Sequence, residues 1–110
     1  MLYTTFTAVE KEFKLRLTAT ACTELEKKLG GKNPLGVLTA FDEGNLPSVS
    51  NLLTILHASM QKFQSNVTFK DVLSLYDDYV DSGQSYTDLI PVLLEVFKVS
   101  GFFPKEKLTE

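Results

Sequence analysis

Only one stretch of this chain alternates. In Glu12-Phe-Lys-Leu-Arg-Leu-Thr18 the apolar Phe13, Leu15 and Leu17 share one face, and Lys14 and Arg16 share the other. A period of two marks a half-buried strand. Ahead of it, Leu2 to Val9 is rich in Thr, Tyr, Phe and Val, residue types that suit a pleated surface. Glu10 and Lys11 stand where the chain would turn. Residues 2–18 therefore read as an antiparallel hairpin, with no Gly or Asn at its tip to define the turn type.

Everything after the hairpin repeats at helical spacing. Cys22, Leu25 and Leu29 form one stripe, and Gly30-Gly31 follows as a C-cap would. Asn33-Pro34 is a helix start: the Asn side chain can cap, and the proline N–H is not needed there. Leu35, Leu38 and Phe41 are its expected inner face and Gly44 its stop. Pro47 opens a third helix near Leu46, with Val49, Leu52, Leu53, Leu56, Met60 and Phe63 as the apolar line. Thr68 with Asp71 has the form of a capping box and opens a fourth. Its expected buried face is Phe69, Val72, Leu73, Tyr76 and Val80, and Gly83 ends it.

Ser85 with Asp88 opens the last helix, in which Pro91 should introduce a bend or delay the start toward Thr87. From Leu89 to Phe97 only Glu95 is charged, so this helix must be covered on most sides, by its own core or by another protein. Gly101 closes it. The pair Phe102-Phe103 follows, ahead of a short polar tail from Lys105. The fold expected is α+β: an N-terminal antiparallel hairpin packed on a bundle of about five helices. It forms a single domain over 1–110, with the hairpin at 2–18, helices across 19–101 and the tail at 105–110.

Composition narrows the function. One hundred and ten residues with 44% apolar and 23% charged side chains are enough for one core. A net charge of -3 counts against a sequence-independent grip on nucleic acid. The charge is unevenly spread. Lys11, Lys14, Arg16, Lys27, Lys28 and Lys32 outweigh the acids of the first 32 residues, whereas residues 67–101 hold Asp71, Asp77, Asp78, Asp81, Asp88 and Glu95 against Lys70 and Lys98. Such asymmetry can orient a partner or a second copy. No apolar run reaches the roughly 20 residues of a membrane helix, and the start after Met1 does not read as a signal peptide. With a single cysteine, Cys22, the expected compartment is the cytoplasm.

No residue set reads as catalytic, cofactor-binding or metal-binding. Asp71, Asp77, Asp78 and Asp81 lack the alternating ligands and central Gly of a calcium loop and read as a solvated helix face. His57 is the only histidine and has neither a second ligand nor a nucleophile nearby in sequence. Cys22, set in an apolar stripe, reads as a small buried hydrophobe. Gly30-Gly31-Lys32 follows a helix and lacks the spacing of a phosphate loop. The candidate partner-binding residues are therefore apolar and lie at the C-terminal end: Leu94, Phe97, Phe102 and Phe103. A pair of Phe side chains left in water forgoes burial worth roughly 1.5–3 kcal/mol each.

Several segments, taken in order, resemble the tail assembly chaperones of siphophages and prophages of Gram-positive bacteria. They are Tyr3-Thr-Thr-Phe-Thr7, Lys14-Leu-Arg-Leu17, Cys22 to Gly31, Leu56-His-Ala-Ser-Met-Gln-Lys-Phe63, Leu75-Tyr-Asp-Asp-Tyr79 and Val96-Phe-Lys-Val-Ser-Gly-Phe-Phe-Pro104. The resemblance covers nearly the whole chain, and its strength lies in the sum of these segments. It implies a non-enzymatic protein of the bacterial host cytoplasm that binds the tape measure protein, keeps it soluble during tail morphogenesis and is absent from the finished virion. It further implies the tail tube protein, and a frameshifted longer form of the same chain, as partners; the chain ending at Glu110 resembles the shorter form. Self-association into a homo-oligomer is expected through the uncharged first strand of the hairpin. Nucleic acid and membrane are not expected partners. The alternatives from other classes are a head-tail connector or other virion component, a small helix-turn-helix regulator, which would need a basic recognition helix, and a small enzyme, which would need a nucleophile–base pair.

Overall fold

The computed structural model describes residues 2–40 and 44–102. The expected α+β layout is the observed one. Strands β1 (Thr4–Ala8) and β2 (Lys11–Leu15) form an antiparallel hairpin, followed by α1 (Ala19–Lys28), α2 (Pro34–Thr39), α3 (Val49–Met60), α4 (Phe69–Asp81) and α5 (Tyr86–Val99). Ala8 pairs with Lys11, Phe6 with Phe13 and Thr4 with Leu15. The turn is thus Val9-Glu10, one residue earlier than the sequence suggests. Val9 takes φ 58°, because a two-residue hairpin loop needs a left-handed residue to match the strand twist.

The hairpin lies on the helices by its Phe6, Ala8, Leu15 and Leu17 face, all buried. The Phe6 ring packs 5.0 Å from that of Tyr79 on α4. β1 packs on α4 and α5, and β2 on α3. The exit from the hairpin is held by two long-range bonds. Arg16 N–H donates to the Ser59 carbonyl at 2.9 Å, and Leu17 N–H donates to Ser100 Oγ at 2.9 Å.

The helix starts follow their caps. Thr18 Oγ1 accepts from Ala21 N–H, Asn33 Oδ1 from Leu35 N–H, and Ser48 Oγ from Asn51 N–H. At Thr68 the capping box closes in both directions, with Thr68 N–H to Asp71 Oδ2 at 2.9 Å and Asp71 N–H to Thr68 Oγ1 at 3.1 Å. At Ser85 the Asp88 carboxylate accepts both the Ser85 N–H and its hydroxyl. α1 ends in a paired glycine cap: Gly31 N–H bonds the Glu26 carbonyl and Gly30 N–H the Lys27 carbonyl, the two bonds of a Schellman motif. Both glycines have positive φ.

Two helix boundaries differ from expectation. α3 begins at Val49 behind a Ser48 cap, leaving Leu46 exposed, and Phe63 lies beyond its end. α5 begins at Tyr86 and is not delayed by Pro91, whose missing N–H falls opposite the exposed Thr87, in the first turn. Phe41 lies outside the described residues.

α5 is a central core element. Leu89, Ile90, Leu93, Val96 and Phe97 are buried, Val92 and Leu94 are half-buried, and the helix packs on β1, α2 and α3. Among the described residues Ser59 is the buried polar side chain of the core, and its hydroxyl donates to the Ile55 carbonyl at 2.8 Å.

Candidate functional site

Among the described residues, those expected at the C-terminal end to meet a partner do not form one exposed surface. Phe97 is 1% exposed and belongs to the core, so it is not available as a partner contact. Of the two covers the sequence leaves open for this helix, its own core or another protein, β1, α2 and α3 supply the first, and Phe97 drops out of the candidate partner residues. Leu94 is half-buried and packs against the core. Phe102 is 37% exposed, with its ring edge-on to Phe97 at 6.2 Å. Phe103 lies outside the described residues.

A different apolar surface stands on α4. The buried face of that helix is Val72, Leu75 and Tyr79. Phe69, Leu73 and Val80, expected on the inner face, are instead 36%, 44% and 43% exposed. Together with half-buried Tyr76 they recur at i, i+4, i+7 and i+11 and lie within an arc of about 60°. α4 therefore carries two adjacent apolar stripes, one spent on the core and one facing out. The sequence signal was present, since apolar residues occupy more of this helix than a single buried stripe needs. What it lacked was the choice of stripe, which the packing against β1 and α3 decides.

The charges around the outer stripe are sorted. Exposed Asp77 and Asp81 follow on the solvent side of Val80. At the other end, Phe69 helps to line a cleft of about 260 Å³ with Lys28, Ser50, Thr54 and His57. The His57 ring meets the Phe69 ring edge-on at 6.1 Å. His57 Nε2 donates to the Val67 carbonyl at 3.1 Å, and Gln61 Nε2 donates to the same oxygen at 3.1 Å. These bonds fix the chain entering α4 and hold Phe69 in place. His57 is thereby a packing and anchoring residue.

The remaining candidates resolve into structure. The Asp71 carboxylate closes the Thr68 capping box, and those hydrogen bonds hold its pKa below the ordinary carboxylate value. Asp71 and Asp78 line a cleft with Lys11 and Phe13 on the hairpin side of α4, away from Asp77 and Asp81. Among the described residues no group of three or more His, Cys, Asp or Glu is placed to hold a metal ion. Cys22 is buried, and desolvation, with the Glu26 carboxylate nearby, pushes its thiol pKa up. A third cleft, of about 410 Å³, opens between α1 and α3 beside buried Leu25, with exposed Glu24, Lys28 and Lys62 at its edge. Among the described residues, no helix is long and apolar enough to cross a membrane.

A β-hairpin laid on five capped helices, with one helix keeping a second apolar stripe outside, defines the class of this protein as a small α+β domain with an exposed helical face. Residues 3–110 match a family described as Family of unknown function (DUF6096), and the chain belongs to that family. No curated protein and no solved structure matches it.

Proposed function

We propose that this protein is a tail assembly chaperone, a binding protein and not an enzyme. In this reading it holds the tape measure protein of a phage or prophage in soluble form in the bacterial host cytoplasm. It leaves before the virion is complete. The observation that carries the reading is the outer stripe of α4, where Phe69, Leu73 and Val80 remain exposed although the core beneath is closed. The segment-by-segment resemblance to such chaperones supplies the identity of the client.

The physics suits reversible holding. A long helical client exposes apolar stripes until a tube forms around it. A helical stripe with charged neighbours can cover such a surface, and its small area and polar border allow release. The tail tube protein and a longer form of the same chain are the further partners this reading names.

Co-expression with the tape measure protein tests it. The client should stay soluble and co-purify with this chain, and it should aggregate without it. Purified virions should lack the chain; its retention there would instead favour a connector or another virion component. A client equally soluble with and without the chain would end the chaperone reading.

A further inference from the structure

We propose that the outer stripe of α4 is a docking surface for an amphipathic helix that carries Lys or Arg beside its apolar line. The spacing of the stripe supports a helical occupant. Phe69, Leu73, Tyr76 and Val80 repeat by four, three and four residues, so they present one ridge along the helix axis. A partner helix lays its own i, i+3, i+4 and i+7 side chains against such a ridge, whereas an extended strand, with its period of two, matches it poorly.

The charge supports a basic partner. Exposed Asp77 and Asp81 border the Val80 end, and no Lys or Arg lies between Lys70 and Lys98. Val80 also sits in the last turn of α4, where the helix dipole adds partial negative charge. At the Phe69 end, Lys28 lines the cleft beside Phe69, and Lys70 follows Phe69 in the chain. A Lys or Arg on the occupant is therefore attracted at the Val80 half, and a Glu there is repelled.

The naming of a helical client rests on the chaperone reading above; the surface and its charge preference rest on α4. The test is built to separate the two. Two helical peptides of about four turns, ~15 residues, share the same Leu line and differ only in bearing Lys or Glu beside its last two positions. Fluorescence anisotropy should show the Lys peptide binding, and the Glu peptide binding more weakly by on the order of tenfold. Leu73→Ser with Val80→Ser should weaken the Lys peptide by about tenfold or more. Asp77→Lys with Asp81→Lys, which leaves the apolar ridge intact, should reverse the preference.

Equal binding of the two peptides, binding by neither, or binding indifferent to the α4 changes would overturn the proposal. So would light scattering that finds the parent dimeric and the Leu73→Ser, Val80→Ser variant monomeric, since the occupant would then be a second copy. If the parent keeps the tape measure protein soluble and this variant does so equally well, the chaperone reading stands and the α4 surface falls. If the Lys peptide binds as described but the tape measure protein is not held, the surface stands and the chaperone reading falls.

Discussion

The side chain of Gln64 pairs with the backbone of Lys14 as a third strand would. Its Oε1 accepts the Lys14 N–H at 2.9 Å, and its Nε2 donates to the Lys14 carbonyl at 3.0 Å. The second amide hydrogen goes to the Met60 carbonyl at 3.0 Å. One side chain thus satisfies both outward groups of Lys14 and blunts the free edge of β2, which would otherwise invite another strand.

Gln64→Ala should therefore destabilise the fold by about 1–2 kcal/mol. It should also raise the hydrogen-exchange rate of the Lys14 amide selectively. Unchanged protection at Lys14 would mean that this pairing does not hold in solution.

Val9 offers the opposite effect. A β-branched residue at φ 58° is strained, by roughly 1–2 kcal/mol in the left-handed region. Its side chain is 54% exposed, so little burial offsets that strain. Val9→Asn should stabilise by about 0.5–1 kcal/mol, since Asn tolerates this backbone. Thermal unfolding should shift upward by about 2–4 °C, at roughly 4 °C per kcal/mol. A lower midpoint would refute the strain argument.

These two features mark where sequence reading stops. The caps were legible because they are local: Thr68 with Asp71, Asn33 with Pro34, and Gly30-Gly31 each act within one turn. Gln64 meets Lys14 across fifty positions, and no periodicity announces that. The hairpin is legible from its alternation, but its Val9-Glu10 turn is not, because no Gly or Asn marks it. On α4 the helix was legible and its orientation was not. Two apolar stripes compete there, and Leu75 and Tyr79 go inward because β1 brings Phe6 against Tyr79.

Acid should weaken the start of α4. The folded Asp71 carboxyl titrates below its ordinary value, because it accepts the Thr68 N–H and the Thr68 side chain adds to that lowering. A depressed folded pKa means the contribution is complete above the unfolded carboxylate pKa and disappears as pH falls through the folded one. Asp71→Asn should remove that part of the stability profile in the acidic range and leave the profile near neutrality parallel to the parent's. Identical acid limbs for the two proteins would exclude a role for this carboxylate.

Cys22 should be slow to react. Its thiol is buried on α1, and burial with Glu26 raises its pKa, so thiolate is scarce at neutral pH. Labelling by a disulfide reagent should be far slower in the native protein than in denaturant. Comparable rates in both states would show that the first helix opens readily.

Phe97 and Phe102 should separate cleanly, although the sequence groups them as one apolar end. Phe97 is fully enclosed among α5 and its neighbours, and deleting a buried ring of that size destabilises by about 3–5 kcal/mol. Phe102 keeps 37% of its surface in water and touches the core through its edge-on contact with Phe97. An aromatic pair of that kind contributes about 0.5–1.5 kcal/mol. Phe97→Ala should therefore lower the denaturant midpoint strongly or prevent folding, and Phe102→Ala should lower it slightly. In co-expression with the tape measure protein, Phe102→Ala should hold the client nearly as well as the parent, whereas Leu73→Ser with Val80→Ser should not. The reverse order, with Phe102→Ala folded normally yet unable to hold the client, would move the binding surface from α4 to the C-terminal end.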